Sequence, residues 1–408
     1  MGEDKRGTKQ VLLIRQSLVS LADNLSAPYI GYYFASLSGS GTLQGILQMS
    51  VNSLPTVTQV IAGSWLDRSG KHVKFLLISS FAASLLWIAV SLTLDPLLLV
   101  TLITARAVVV GVAGLALTAL VGTLFLGEER GKVLSYLNAA AQLCALPVFA
   151  IMLYLNPSVE DMRIFFMISG LISLGSSVTW LAMLNLDEKR HTVSATHRPS
   201  PIILQDKSFI KFTVANSAYT FAMAVAWPLF PLAQSYVLDM SVKDLAVLNV
   251  LSTSSTVASQ YVIGKRIGGR DLKKLIVISR IGLVMFPTVY AVAHHPLPIY
   301  LWQFFSGPFS AMGMVAIPLY AMELADPEHK ASYLAYLNLL QGVAASLGSA
   351  VGGVVTDRII ENAGWEGVRY GLALSAAMRT VMIILLLKVD SVYVATTLET
   401  RTVYSKGD

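Results

Sequence analysis

The sequence predicts an all-α membrane protein of twelve transmembrane helices arranged as two pseudo-symmetric six-helix bundles. Its composition gives the first indication, because 54% of the 408 residues are hydrophobic, 13% are charged and the mean hydropathy is +0.63. That charged share is about half of what soluble domains carry. Most of the chain must therefore lie in hydrocarbon, and we expect a lipid bilayer to be one of its partners.

An internal repeat gives the second indication. Residues of the first half recur, in identical or conservative form, 200 positions later. The pairs are Glu128 with Glu328, Arg130 with Lys330, Leu134 with Leu334, Tyr136 with Tyr336, Leu137 with Leu337, Asn138 with Asn338, and Pro28 with Pro228. Parallel repeats of membrane helices are typical of secondary transporters, whose binding site lies between the repeats near mid-bilayer. The repeat therefore predicts a transporter of a small molecule.

Runs of about 20 apolar residues, the length that spans a bilayer, predict each helix in turn. The spans lie near residues 12–36, 42–66, 74–94, 97–126, 133–155, 163–186, 209–236, 244–264, 275–293, 297–323, 332–356 and 368–388. A polar stretch with two prolines separates six spans from six, which predicts a linker. We therefore expect an N-terminal bundle at 1–186, a cytoplasmic linker at 187–208, and a C-terminal bundle with a cytoplasmic tail at 209–408.

The basic residues predict the orientation. Placing the amino terminus in the cytoplasm puts 23 of the 30 lysines and arginines in cytoplasmic segments and four in outer loops. Because cytoplasmic loops carry an excess of these residues, we expect a multi-pass protein of the cytoplasmic membrane with both termini in the cytoplasm. The same distribution argues against nucleic acid as the partner of the net charge of +6.

A charged motif that contains glycine lies between the second and third spans. It reads Gly63-Ser-Trp-Leu-Asp67-Arg68-Ser-Gly70-Lys71-His-Val. This resembles the signature of the major facilitator superfamily, in which a glycine, Leu-Ala-Asp-Arg, a second glycine and basic residues occupy the same loop. The resemblance implies the fold of that family and a transport function, and it leaves the cargo open.

We expect this motif to control closure of the cytoplasmic side. Gly63 should let two helices approach closely, and Asp67 should accept hydrogen bonds from a neighbouring helix amino terminus. Arg68 and Lys71 should pair with acids. The family resemblance places further members of this charge network just before the fifth span, with ordinary loop charges as the alternative. These further members are Glu128 and Arg130.

Two opposite charges are predicted inside the membrane. Asp23 lies about twelve residues into the first span and Arg106 about ten into the fourth, so at roughly 1.5 Å per residue both lie near mid-depth. An unpaired charge there costs at least about 2.5 kcal/mol, which favours a partner, water or cargo. The family resemblance implies that both spans line the central cavity. We expect Asp23 to bind proton and cargo in turn while Arg106 sets its pKa, with a fixed structural bridge as the alternative.

Two further arginines lie within spans of the second half. Arg280 is close enough to the end of its span, near Lys274, for its side chain to reach the interface. For Arg379 we expect a role in helix packing.

Pro28 and Pro228 should break the first helix of each half, because proline cannot donate the backbone hydrogen bond of a helix.

Polar residues form a stripe along the second span and another along the eighth. In each stripe they recur at helical spacing, which places them on one face. The stripes predict the wall of a water-filled cavity, with interhelical hydrogen bonding as the alternative. The candidate cavity residues, beside Asp23 and Arg106, are Asn24, Gln44, Gln48, Asn52, Asn138, Gln142, Trp227, Asn249, Thr253, Thr256, Asn338 and Gln341.

The chemistry of the residues favours transport over catalysis. We find no nucleotide-binding loop, no set of nucleophile, acid and base, and no cluster of metal ligands, so we expect no enzyme, no cofactor and an ion gradient as the energy source. Arg106 with Gly111 and Gly114 is similar, with a shift of one position, to the pattern of proton-coupled exporters. The first hypothesis, which rests on Asp23, Arg106 and a largely uncharged cavity, is a monomeric, proton-coupled antiporter that exports an amphiphilic or drug-like molecule. Uptake of a metabolite or organic anion is the alternative, and a non-transporting sensor is the third.

Overall fold

The structure is a computed structural model that describes residues 2–125, 128–184, 203, 205–325 and 329–393. Most of the predicted linker and of the predicted tail lies outside these residues. Short helices that follow each other head to tail are grouped below into one rod. We call the side of the bundle at which the first helix begins the terminal side, and the opposite side the far side.

Six rods make up the described part of the first half. They are Gly2–Leu37 (α1), Gly41–Asn52 with Leu54–Ser69 (α2a and α2b), His72–Leu92 (α3), Pro96–Leu124 (α4), Glu128–Leu155 (α5) and Met162–Val178 (α6), the last followed by a 3-10 turn. Helix α2 is interrupted at Ser53, just before Pro55. In contrast, α1 continues through Pro28, so the predicted break is wrong there. Membrane helices tolerate proline where neighbours pack around it, and Tyr29 and Ile30 are buried.

Six more rods make up the second half, within the residues that the structure describes. They are Lys207–Val225 with Leu229–Leu232 (α7a and α7b), Val242–Arg266 (α8), Leu272–Val292 (α9), Leu297–Phe305 with Gly307–Leu324 (α10a and α10b), Lys330–Ala363 (α11) and Gly367–Leu387 (α12). The predicted break is present in α7, where Pro228 and Pro231 remove two donors within one turn. A π-helical turn, Ala233–Val237, follows this break.

Eight helices are long and apolar enough to cross a membrane, judged by length and composition within the described residues. They belong to α3, α4, α5, α6, α9, α10, α11 and α12. The other rods, α1, α2, α7 and α8, are interrupted or carry polar faces, and they occupy equivalent positions in the two halves. This arrangement agrees with a repeat built around a polar centre, because polar residues in membrane helices face the interior of the bundle.

Buried apolar side chains form three cores within the described residues. On the terminal side each half has a core of its own, which contains Leu66 and Leu120 in the first half and Phe209 in the second. On the far side a single core joins the halves, combining residues such as Tyr29 of α1 with residues such as Tyr290 of α9. The halves are therefore packed together on the far side and separately on the terminal side.

After α12 the chain turns back across the terminal side of the second half. The Asp390 carboxylate accepts hydrogen bonds from Ser208 Oγ at 2.8 Å and from Lys211 Nζ at 3.4 Å. The hydroxyl of Tyr320 donates to the Asp390 carbonyl oxygen at 2.9 Å. The hydrogen bond from Ser208, followed by the charge of Lys211, lowers the pKa of the Asp390 carboxyl. This contact ties α7 and α10 to the end of α12.

Candidate functional site

A cavity of about 450 Å³ lies between the two halves, in the far-side part of the bundle. Helices α1 and α2 form one wall, and α7, α8, α9 and α10 form the other. Within the described chain its lining carries no charged side chain. Among the described residues of the lining, five carry side-chain amides, and they are Gln48, Asn52, Gln234, Asn249 and Gln303.

Aromatic rings provide much of the apolar lining. Tyr32 comes from the first half, whereas the other rings come from the second half. Those rings are Trp227, Phe230, Phe286 and Tyr290. Phe230 packs edge to face on Tyr290, with ring centroids 5.0 Å apart. The cavity therefore combines flat apolar faces with neutral hydrogen-bonding groups.

Asp23 and Arg106 lie side by side beneath this cavity. Arg106 Nη2 donates to Asp23 Oδ1 at 2.5 Å, and the side chains are 37% exposed for Asp23 and 15% for Arg106. The Arg106 guanidinium also lies over the ring of Trp87, 4.4 Å from the ring centroid. This cation–π contact offsets part of the free energy that burying the charge costs. Asp23 is one helical turn from Ala27, a lining residue, on the same face of α1. The ion pair thus lies between the cavity and the terminal side, with its carboxylate partly open.

The other cavity residues proposed from the sequence divide into two groups. Four of them line the cavity, and they are Gln48, Asn52, Trp227 and Asn249. The structure places the following outside the lining: Asn24, Gln44, Asn138, Gln142, Thr253, Thr256, Asn338 and Gln341. Sequence reasoning missed Gln234 and Gln303, each of which is a single amide in an apolar run without a periodic partner.

Gln44 and Asn24 make structural contacts instead. Gln44 is fully buried, and its amide nitrogen donates to the carbonyl oxygen of Gly31 at 3.1 Å, which ties α2 to α1. Asn24 Nδ2 donates to the carbonyl oxygen of Ser20 at 2.8 Å, one turn earlier on α1. The observed role of both residues is therefore hydrogen bonding within the first half.

The proposed gating motif lies at the end of α2b. Gly70 has a φ of 63° and ends the helix in the left-handed conformation that glycine adopts without strain. A Cβ built on Gly63 would meet no atom within 4 Å among the described residues, so the close approach expected there is absent from this conformation, in which the halves separate on the terminal side. Lys71 is exposed. The side chains of Asp67, Arg68, Glu128 and Arg130 lie outside the described residues.

A carboxylate of the second half holds the far side closed. Asp357, on α11, accepts hydrogen bonds from the backbone N–H of Gly41 at 2.5 Å and of Thr42 at 2.9 Å, and from the Thr42 hydroxyl. Ser349, two turns earlier on α11, donates from Oγ to the carbonyl oxygen of Gly45 at 2.9 Å. Asp357 thus caps the amino terminus of α2a from the opposite half.

Further contacts between the first helices of the two halves lie above the cavity. The Tyr236 hydroxyl donates to the carbonyl oxygen of Ala35 at 2.8 Å, and the Tyr32 hydroxyl donates to that of Met240. Within the second half, the ring of Tyr236 stacks on Trp365 with a centroid distance of 3.8 Å. These contacts, together with the shared core, separate the cavity from the far side.

Two arginines of the second half are buried inside their own bundle. Arg280 donates to Asn216 Oδ1 at 2.7 Å and lies over the ring of Tyr219 at 4.6 Å. The prediction that Arg280 reaches the interface near Lys274 is therefore wrong, because its guanidinium finds an acceptor and an aromatic face within the bundle. Arg379 donates to backbone carbonyl oxygens of α9 and α7 at 2.8 and 3.0 Å, which joins three helices.

Sequence reasoning also missed the buried charge of Arg15. It donates to Ser80 Oγ at 3.1 Å and lies over the ring of Trp180 at 4.6 Å. Ser80 lies 200 positions before Arg280, so the repeat places a guanidinium at the same helix junction in each half, supplied by a different helix. The signal for Arg15 was its position inside an apolar run of the first helix.

Comparisons with known proteins agree with this architecture. A family model described as the Major Facilitator Superfamily matches residues 12–270 and 212–403. Among curated proteins, no sequence matches the chain. At the sequence identities given below, a structural likeness shows the fold alone.

Three solved structures illustrate the shared fold. The nucleoside transporter NupG has a TM-score of 0.74 at 13% identity, covering 94% of this chain and 99% of its own. A POT family transporter in complex with a thioalcohol-conjugated peptide has a TM-score of 0.70 at 12% identity, covering 94% and 96%. A bacterial homologue of the human lysosomal transporter Spinster has a TM-score of 0.67 at 11% identity, again covering 94% and 96%.

Proposed function

Because the chain belongs to the major facilitator superfamily, we propose that it is a proton-coupled secondary transporter that moves a small organic molecule by alternating access. Family membership makes the protein a multi-pass membrane transporter and excludes an enzyme. The coupling ion, the cargo and the direction are the proposed parts. A single chain forms the whole cavity, so we propose a monomer as the transport unit.

The observation that carries this proposal is the ion pair of Asp23 with Arg106 beside a cavity without charges. Asp23 is 37% exposed and bonded to Arg106 at 2.5 Å, so a proton reaching its carboxylate would compete directly with the guanidinium. Protonation would release Arg106 and change the contact between α1 and α4. A carboxylate one turn from the cargo cavity is well placed to link proton binding to the movement of these helices.

The closed far side supports alternating access with a defined orientation. From the distribution of basic residues we propose that the protein lies in the cytoplasmic membrane with its terminal side, and both termini, facing the cytoplasm. In that orientation the cavity is shut off from the outside by Asp357 and by the core shared between the halves. The interrupted α7 offers a place at which the second half bends when the far side opens.

Two directions of transport are compatible with one coupling site. Export by exchange with protons is the direction that the residues of α4, Arg106 with Gly111 and Gly114, favour. Uptake together with protons is the second candidate, and the amide-rich cavity favours it because neutral metabolites carry matching groups. The nucleoside transporter NupG, which shares this fold, carries a cargo of that kind.

The test uses the purified chain in vesicles that contain the pH-sensitive dye pyranine. Uridine represents neutral ring compounds, and ethidium represents amphiphilic drugs. We expect one of the two probes to drive proton movement, with the sign of the pH change giving the direction. Asp23→Asn should abolish this signal. Glu361→Gln is the matched control, because Glu361 pairs with Arg358 of its own helix at 3.0 Å.

Each outcome decides a separate part of the proposal. A proton signal that is equal in Asp23→Asn and in Glu361→Gln would remove Asp23 from the coupling mechanism. Transport of a probe without proton movement in the wild-type protein would refute proton coupling and leave facilitated transport. A chain that carries neither probe, in either direction, would count against both candidate functions.

A further inference from the structure

The cavity selects against ionised molecules. No charged side chain belongs to its lining within the described part of the chain. Among the described residues, the ion pair of Asp23 with Arg106 lies one helical turn from the lining and is internally compensated. A charged cargo would exchange its hydration for amides and aromatic rings without a counter-ion, which is unfavourable in a low-dielectric site.

One asparagine on each wall of the cavity has its side-chain NH₂ group engaged by its own helix. Asn52 Nδ2 donates to the backbone oxygen of Gln48 at 3.0 Å, and Asn249 Nδ2 donates to that of Leu245 at 2.9 Å. Because a backbone carbonyl accepts hydrogen bonds and does not donate them, these contacts fix the orientation of both side-chain amides. Each Oδ1 remains the unused polar atom, since no donor reaches it within the described residues. The cavity thus offers one acceptor from α2 and one from α8.

A third amide donor of the cavity is also occupied. Gln234 Nε2 donates to the Tyr290 hydroxyl at 3.0 Å, and the Tyr290 ring is held in place by Phe230. The half-buried ring of Trp227 lies at the break of α7 on the same wall. This wall therefore presents aromatic faces, on which a flat ring stacks favourably.

We infer that the cargo is an uncharged, ring-bearing molecule whose hydroxyl or N–H groups donate hydrogen bonds to Asn52 and Asn249, an inference that rests on the proposed transport function. Nucleosides and glycosides share this chemistry. A volume of about 450 Å³ suits a molecule of this size. Because Asn52 belongs to the first half and Asn249 to the second, a cargo bound to both would bridge the halves and favour the closed arrangement around itself.

The test measures binding to the purified wild-type protein, without transport or protons. Four probes are compared by quenching of tryptophan fluorescence and by calorimetry: uridine, phenyl β-glucoside, uridine 5′-monophosphate, and 2′,3′-O-isopropylidene uridine, in which two hydroxyl donors are blocked. We expect uridine or the glucoside to bind, and the stronger of the two identifies the class. The phosphate and the blocked nucleoside should each bind at least about ten times more weakly than uridine if the nucleoside is the class.

Variants test the two acceptors directly. Asn52→Leu and Asn249→Leu should each weaken binding of the preferred probe at least about tenfold. Asn362→Leu is the matched control, because Asn362 is an exposed amide of α11 outside the cavity lining that makes the same bond to the carbonyl oxygen four residues earlier. Thermal unfolding of each variant shows whether it is folded. If a variant fails to fold, the comparison of free and blocked uridine on the wild-type protein still decides the matter.

Several results would overturn the inference. Equal binding of uridine and its monophosphate would show that the cavity accepts charge, and equal binding of free and blocked uridine would show that donors do not matter. Unchanged affinity in both asparagine variants would remove them from the site. Binding or transport of ethidium in place of both neutral probes would refute this cargo class while leaving the proposed transport function intact.

Discussion

Replacing Asp357 by asparagine should make the far side open more often. Its carboxylate uses both oxygens, because Oδ1 accepts from the Gly41 N–H at 2.5 Å and Oδ2 accepts from the Thr42 N–H at 2.9 Å and from the Thr42 hydroxyl. All three donors belong to the first half, whereas Asp357 belongs to the second. An asparagine keeps one acceptor oxygen, loses the charge, and turns an NH₂ group towards one set of donors.

The expected size of the effect follows from these contacts. A hydrogen bond to a charged group contributes about 1.5–3 kcal/mol, and water replaces the lost bonds once the far side is open. Asp357 is half-buried, so we take a net loss of about 2 kcal/mol for the closed arrangement. At 1.4 kcal/mol per factor of ten, the ratio of closed to open molecules falls about 30-fold. A population of roughly 1% open molecules would rise to roughly 20%.

Distances between spin labels measure this population. Ser36 and Ala363 are exposed on the far side of the first and second halves, and each accepts a cysteine for labelling. The sole native cysteine, Cys144, is replaced by serine beforehand. Double electron–electron resonance then reports the fractions with short and long distances. Glu361→Gln provides the control, because Glu361 lies one turn from Asp357 and contacts no residue of the first half through its ion pair.

Equal populations of open molecules in Asp357→Asn and Glu361→Gln would refute this role of Asp357. If the long-distance fraction rises equally in both variants, the cause is the loss of any negative charge at this end of α11, and the contact of Asp357 with α2a is not required. A shift in Asp357→Asn alone, of the magnitude given above, would support a carboxylate that holds α2a and α11 together.

Three further predictions follow from other contacts. Gly353→Leu should populate the open far side and abolish transport, because a Cβ there would lie 2.6 Å from the Gly41 carbonyl oxygen, and the same label pair checks this. Arg280→Leu should lower the free energy of unfolding by about 2 kcal/mol by leaving the Asn216 oxygen buried without a donor, and adding Asn216→Leu should recover part of that loss; equal losses in the single and double variants would contradict the pairing. Asp390→Asn should cost less than about 1 kcal/mol at pH 7, because a lowered carboxyl pKa stabilises the fold at higher pH, and the cost should disappear as the pH falls through that lowered pKa; thermal unfolding at several pH values gives the sign.

The family and the fold class were predictable because they depend on patterns read along the chain. Apolar runs mark the spans, and the 200-residue offset marks the repeat. The motif at residues 63–73 identifies the family, which the match over residues 12–270 and 212–403 confirms. The predicted absence of an enzymatic function is confirmed by the same membership.

The site was predictable in part. Gln48, Asn52 and Asn249 stood out because polar residues at helical spacing share a face. Gln44 belongs to the same stripe, yet it bonds to the carbonyl oxygen of Gly31, since a stripe is wide enough to face both the cavity and a neighbouring helix. The place of Tyr290 in the cavity could not be predicted from the sequence, because a tyrosine within an apolar span is more often a packing residue.

The sequence by itself determined the class of this protein, its membrane helices and its internal symmetry, since hydropathy, charge and repetition are properties of each stretch of chain. The tertiary structure decided which polar groups share the cavity and which side is closed. Both depend on contacts between distant segments. Asp357 illustrates the reason. Its carboxylate accepts hydrogen bonds from the amino terminus of α2a only because the packing of α2 against α11 brings the two together.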